Sequence, residues 1–150
     1  MRDHLSEALR NHTAELVEVR YEVRDATRIT YRGKELEEAS LTSDNGGCAR
    51  ALVNGGWGFA SFNDLEAVQS SVVSAVANAR HSGGQGPSLP RREPIDASVT
   101  SLPARSVDTV SLEEKKRLLD GYRDIIMSSP HIQSCHIQYS DSLRTVRYVS

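Results

Sequence analysis

Residues 17–24, Val-Glu-Val-Arg-Tyr-Glu-Val-Arg, contain the pattern that decides the fold. Apolar and charged side chains alternate strictly along them, with Val19 and Tyr21 on one side and Glu18 and Arg20 on the other. Because successive side chains of a strand point to opposite faces, this period of two predicts a strand with one buried and one hydrated face, as in an antiparallel sheet. We expect the charged face to be solvated, with ion pairs that contribute little to stability.

The segments that follow extend this strand into a predicted meander. The alternation continues over residues 28–31, Gly33 supplies a turn, and residues 35–42 carry the chain back. A turn-rich segment at 43–47 then precedes another strand at 48–53.

Asn-Gly at 54–55 is a strong hairpin signal because both central residues of such a turn must accept a positive φ. The partner strand is predicted at 57–62, which makes four or five antiparallel strands in all. Residues 55–58, Gly-Gly-Trp-Gly, lack the spacing of a dinucleotide or phosphate loop. We interpret them as a turn followed by a glycine that lets Trp57 or Phe59 pack closely on a neighbouring strand.

Three segments have the apolar spacing of helices, at residues 3–11, 64–80 and 112–128. Capping-box spacing precedes the second helix at Asn63–Glu66 and the third at Ser111–Glu114. We expect the second and third helices to cover the apolar face of the sheet. The predicted apolar stripe of the third helix consists of Leu118, Leu119, Tyr122, Ile125 and Ile126.

The C-terminal part is predicted to contain a short strand at 95–100 and a terminal hairpin with its turn at 140–142. The last predicted strand, 143–149, has no stop signal, so we expect the natural polypeptide to continue. The predicted class is α+β, a two-layer fold in which an antiparallel β-meander is covered on one face by helices. Subregions 1–81 and 95–150 are expected to be joined by a flexible Gly- and Pro-rich connector at 82–94.

Composition and charge exclude several classes of partner. The 150 residues have a formal net charge of −2 and no basic stripe, which argues against a nucleic-acid partner. The apolar runs are far shorter than a membrane span, and the N-terminus has no secretory signal. We therefore expect a cytoplasmic protein without membrane partners.

Cysteines and histidines do not form a recognisable site in the sequence. Cys48 and Cys135 lie far apart, so we expect two reduced, partly buried thiols. On a regular strand His131 and Cys135 would lie about 13 Å apart and His136 would face the other way, so these three could not hold one metal ion. No catalytic, cofactor-binding or metal residue is predicted in this chain.

Several short segments of the sequence resemble one protein family. Residues 27–30, the Glu pair at 37–38, the run Ala-Leu-Val-Asn-Gly-Gly-Trp-Gly-Phe-Ala-Ser at 51–61 and the helix start at 63–65 look like the N-terminal domain of the TldD/PmbA family. Members of that family also carry the label "modulator of DNA gyrase". The helix start at 111–115 and the predicted terminal hairpin resemble the next part of the same domain.

The resemblance implies a cytoplasmic zinc metallopeptidase that acts on peptides or unfolded segments as a homodimer, or as a heterodimer of related subunits. In that family a His-Glu-x-x-x-His helix in the C-terminal half binds the metal, and this sequence contains no such motif. The resemblance therefore predicts a non-catalytic N-terminal portion that contributes to dimer assembly and the substrate channel, with zinc in a catalytic C-terminal domain absent from this chain.

Two other hypotheses remain open at this stage. The first is a free-standing α+β module that binds peptides or proteins and has no enzymatic activity. The second is a small cysteine-dependent enzyme that uses Cys48 or Cys135, although Cys48 has no evident base in its neighbourhood.

Overall fold

The computed structural model describes residues 2–10, 12–84, 86, 89–90, 93, 95–101 and 105–150. Four strands form one antiparallel sheet in the order β3-β2-β1-β4, and helices accompany it, which confirms the predicted α+β class. In chain order the elements are α1 (Arg2–Ala8), β1 (Leu16–Arg32), β2 (Glu35–Val53), β3 (Gly56–Phe62), a 3-10 turn (Leu65–Ala67), α2 (Val68–His81), a second 3-10 turn (Val107–Thr109), α3 (Leu112–Met127) and β4 (His136–Val149).

The first two strands are longer than the sequence predicts. β2 alone covers both of the strands predicted at 35–42 and 48–53. The turn predicted at 43–47 is wrong, because these residues lie inside β2. Gly47 pairs with Phe62 of β3, and a Cβ built on Gly47 would lie 2.4 Å from the Phe62 ring and 2.7 Å from the carbonyl oxygen of Arg20. Glycine is therefore needed at this position for close packing within the sheet and not for a change of direction.

The C-terminal region differs from the prediction in two places. Residues 95–101 have no regular structure, so the strand predicted at 95–100 is wrong. The turn predicted at 140–142 is also wrong, because β4 is one continuous strand. Asp141, in the middle of this segment, accepts a hydrogen bond from the buried Lys115 of α3, a contact that the local sequence could not indicate.

The helices form close to where the sequence predicts them, but the predicted apolar stripe of α3 is wrong. Only Leu119 of that stripe is buried, whereas Leu118, Tyr122 and Ile125 are exposed.

The ends of the helices are also shifted. α1 ends at Ala8, earlier than predicted, and Asn11 lies outside the described residues. The cap before α2 is Asp64 and not Asn63, since the Asp64 carboxylate accepts a hydrogen bond of 3.0 Å from the amide of Glu66 and opens a 3-10 turn. The capping box of α3 at Ser111–Glu114 is present as predicted. Of the predicted connector, residues 85, 87–88, 91–92 and 94 lie outside the described residues.

The hairpin between β2 and β3 is confirmed. Asn54 and Gly55 both have positive φ, 47° and 75°, which matches the turn that suits right-twisted strands. The predicted role of the next glycines is wrong, because the close approach at Gly58 is to α2 and not to a strand beside Trp57 or Phe59. A Cβ on Gly58 would lie 2.0 Å from a carbonyl oxygen of α2, so this glycine lets the helix backbone approach the sheet.

The chain divides into two compact units, each with its own core. The first unit comprises residues 1–23, 45–97 and 145–150, and the second comprises 24–44 and 98–144. In the first unit β-strand side chains such as Val19 and Ala51 pack with the apolar face of α2. The core of the second unit consists of Ile29, Tyr31 and Leu119, with Leu112, Ile137 and Tyr139 packed against them.

Candidate functional site

An ion pair between the buried Lys115 and the half-buried Asp141 links two elements of the second unit. Lys115 is only 4% exposed, and its ammonium group lies 2.9 Å from the carboxylate of Asp141 and 2.9 Å from the hydroxyl of Thr27. Tyr139, two residues before Asp141 on β4, donates its hydroxyl hydrogen to the same carboxylate. The network joins α3 to β1 and β4, and it satisfies a charge that would otherwise be costly to bury.

The network changes the acid–base properties of its members. Burial alone would raise the pKa of Asp141, but hydrogen bonds from Tyr139, Lys115 and Thr27, together with the Lys115 charge, outweigh burial and hold that pKa below its usual range. Burial, the hydrogen bond to Asp141 and the charge of that carboxylate raise the pKa of Tyr139 to about 12. At neutral pH the carboxylate is therefore ionised, whereas the phenol keeps its proton.

A cavity of about 400 Å³ opens beside this network within the second unit. Aliphatic side chains from three different elements line it, namely Leu41 of β2, Leu112 of α3 and Leu143 of β4. Lys115 and Asp141 form another part of the wall. The other lining residues are Asp25, Ala26, Thr27, Thr42, Ser43, Val107, Asp108, Val110 and Ser111.

The arrangement favours binding over covalent chemistry. The Lys115 ammonium donates to the Thr27 hydroxyl and lies against the Asp141 carboxylate, so its nitrogen is already engaged and is not placed to act as a nucleophile or a base. The cavity instead combines apolar walls with a few polar groups, which is the composition of small-ligand pockets.

A second polar cluster of the second unit centres on Asp120. Its carboxylate accepts hydrogen bonds from Lys116, Tyr31 and Arg123, with distances of 2.8 Å to Lys116 and 3.0 Å to Arg123. The bonds from Lys116 and Tyr31 lower the pKa of Asp120. Sequence reasoning missed this cluster, although the spacing of Lys116, Asp120 and Arg123 along one helix face is a recognisable signal.

On the first unit, an outer row of side chains crosses the sheet on the face opposite α2. The row consists of Tyr148, Glu18, Arg50 and Trp57, one from each strand. The Tyr148 hydroxyl donates to Glu18 at 2.8 Å, Arg50 lies 2.6 Å from Glu18, and the Arg50 guanidinium stacks over the Trp57 ring at 4.7 Å. The predicted solvated face therefore needs correction at Glu18, whose side chain is only 15% exposed.

The residues weighed as metal ligands are not brought together. His131 lies before β4 and not on a strand, His136 begins β4, and both are exposed. Among the described residues there is no group of three or more His, Cys, Asp or Glu side chains that could hold a metal ion, so this part of the chain does not offer a zinc site. Cys48 and Cys135 are free, half-buried thiols, as predicted. The helices in the described part of the chain are all too short or too polar to span a membrane.

Comparisons with known proteins agree with the fold. A family model described as PmbA/TldA metallopeptidase domain 1 matches residues 17–82. A metalloprotease of Synechocystis sp. is 34% identical over 135 residues, which are 89% of this chain and 29% of the relative. The structure of TldE from Thermococcus kodakarensis has a TM-score of 0.63 at 15% identity, over 88% of this chain and 31% of that one. The structure of a candidate modulator of DNA gyrase from Bacteroides thetaiotaomicron has a TM-score of 0.72 at 13% identity. This match covers 99% of this chain and 34% of that one.

These findings define the class of protein. Residues 17–82 match the first domain of the TldD/PmbA metallopeptidase family, and the chain is similar in sequence to a metalloprotease, as the resemblance predicts. It spans about a third of the length of the relatives that it matches.

Proposed function

We propose that this chain is the non-catalytic N-terminal portion of a cytoplasmic TldD/PmbA-type zinc metallopeptidase subunit that cleaves peptides or unfolded segments. The family match supports the peptidase class, and the relatives are about three times as long as this chain. In this proposal the metal centre belongs to a part of the protein beyond residues 1–150, as the resemblance to the family implies.

The domain contributes to dimer assembly and to the wall of the substrate channel. The single observation that carries this role is the outer sheet face of the first unit, where Trp57, Phe59 and Tyr148 are 41%, 58% and 55% exposed. Exposed aromatic residues with a stacked arginine are the composition of interface centres. An extended peptide can also add to the edge strands β3 and β4 through main-chain hydrogen bonds.

Light scattering of the whole protein tests the assembly role. The double variant Trp57→Ser with Phe59→Ser is expected to convert the dimer, formed with itself or a related subunit, to monomers. The matched control, Leu118→Ser with Ile125→Ser, replaces exposed apolar residues of α3 and is expected to leave the dimer intact. A dimer that survives the first pair of substitutions, or a wild-type protein that is monomeric, would contradict the proposal.

The alternative is a free-standing module of α+β fold that binds peptides or proteins without enzymatic activity. The size of the polypeptide in its native cells separates the two. A band of several hundred residues supports the peptidase subunit, whereas a band near 16.5 kDa supports the module.

A further inference from the structure

The cavity of the second unit combines two kinds of surface. Its walls include Leu41, Leu112 and Leu143, which can cover an aliphatic chain. Its floor contains Lys115 and Asp141, which neutralise each other at 2.9 Å. The floor therefore adds polarity without adding net charge, and the walls add apolar contact.

Two further carboxylates lie in the cavity lining. Asp25 of β1 and Asp108 of the second 3-10 turn are both exposed, and no described residue makes a side-chain hydrogen bond or ion pair with either carboxylate. Since Lys115 is matched by Asp141, the lining has an excess of two negative charges. A bound cation could approach these carboxylates without displacing an existing partner.

We propose that this cavity binds a cationic group carried on an aliphatic stem, the chemistry of an arginine or lysine side chain. The stem packs against the leucines, and the cation lies near Asp25 and Asp108. A volume of about 400 Å³ is at the lower end of small-ligand pockets and suits one long side chain. The neutral floor explains why the two acidic residues, and not Lys115, determine the preferred charge.

The group could belong to a peptide or to a free amine or guanidine. The preference for a peptide rests on the proposed peptidase function, because an extended substrate would present such side chains. The preference for a cation rests only on the cavity. The two parts of the proposal can therefore fail separately.

Calorimetric titration of residues 1–150 tests the charge preference. The first ligand is a blocked pentapeptide with a central arginine among alanines, and its matched control contains citrulline, which has the same shape and no charge. We expect the arginine peptide to bind about threefold to tenfold more tightly, with the difference shrinking at high salt. Equal affinities, or no binding of either peptide, would overturn the proposal. Butylguanidinium forms the second arm, and binding as tight as that of the peptide would assign the site to a free ligand.

Isosteric variants locate the site. Asp25→Asn and Asp108→Asn are each expected to weaken binding of the arginine peptide about twofold to fivefold and to leave the citrulline peptide unaffected. Glu35→Gln makes the same charge change outside the cavity, next to the turn after β1, and is expected to have no effect. A loss that is equal for Asp25→Asn and Glu35→Gln would overturn the site assignment. Cleavage of peptides by the whole protein without this arginine preference would leave the proposed function intact and remove only this inference.

Discussion

At the scale of single residues, Lys115 is the side chain whose replacement we expect to destabilise the second unit most. It places a positive charge where only 4% of the residue is exposed, and Asp141 and Thr27 are its partners. Taking either charge out of water is costly, so the pair is stable only while both members are present. The consequence is a strong dependence of the second unit on one contact between α3 and β4.

Lys115→Met is therefore expected to lower the free energy of unfolding by about 3 kcal/mol, because the half-buried Asp141, whose side chain is 12% exposed, loses its cation. Lys116→Met on the same helix removes a more exposed charge and is expected to cost about 1 kcal/mol or less. Urea denaturation measures the loss of unfolding free energy in each of the two variants. Adding Asp141→Leu to Lys115→Met should recover much of the loss, and a double variant no more stable than the single one would contradict this account.

Because of the Tyr139 phenol, we expect the free energy of unfolding to depend on pH in the alkaline range. The pKa of this phenol is raised from 10.0 to about 12 in the folded protein, so the folded state holds the proton more tightly than the unfolded state does. The resulting stability is fully present below pH 10 and is lost as the pH rises towards 12. Tyr139→Phe should flatten this part of the curve of unfolding free energy against pH, and an unchanged slope would show that the phenol is not responsible.

At the scale of elements, backbone proximity decides how β3 meets α2. A Cβ on Gly58 would lie 2.0 Å from the carbonyl oxygen of Ala75 and 2.3 Å from the amide nitrogen of Ala79. Neither is the end of a flexible side chain, so the helix would have to move. The contact is between main chains, and no change of rotamer can relieve it.

Gly58→Ala is accordingly expected to cost about 3 kcal/mol or more. Gly121→Ala serves as its control, because a Cβ at this position in α3 has nothing within 4 Å. That variant is expected to stabilise the protein by about 0.5 to 1 kcal/mol through helix propensity. Thermal unfolding should show shifts of opposite sign, and two shifts of the same sign would contradict the packing argument.

The start of α3 offers a second test at this scale. Ser111 accepts a hydrogen bond from the amide of Glu114 and completes a capping box, whereas the Ser106 side chain before the 3-10 turn makes no capping bond. We expect Ser111→Ala to lower the unfolding free energy by about 1 kcal/mol and Ser106→Ala to have a much smaller effect. Equal losses in chemical denaturation would argue against a specific cap.

At the scale of the whole molecule, the two units have cores of different size. α2 buries six of its residues in the first unit, and α3 buries only Lys115 and Leu119 in the second. Local opening costs less where less apolar surface is buried. The second unit should therefore open more readily.

Hydrogen exchange measures this difference. The amide of Leu119 in α3 is expected to exchange with an opening free energy at least about 2 kcal/mol below that of Ala75 in α2. Equal protection of the two amides would show that the units open together. The Lys115→Met variant should widen the gap, because it weakens only the second unit.

Much of the fold could be predicted because its signals are local. Alternation indicated the first strand, Asn54-Gly55 indicated a turn that needs two positive φ values, and the capping box indicated where α3 begins. Residues 51–61, which resemble the family most clearly, also lie on one such local element, the β2–β3 hairpin. In each case the physical cause acts within a few residues, so a single sequence is sufficient to detect it.

Only the tertiary structure decided the rest. Residues 43–47 and 140–142 have the composition of turns, but pairing with Phe62 and the contact with Lys115 keep them in strands. The cavity likewise needs residues from β1, β2, α3 and β4 that are far apart in the sequence. The sequence by itself therefore determined the class, the main elements and the family. The burial of Lys115 and the candidate site depend on partners that meet only when the chain folds, because neither burial nor charge pairing is a local property.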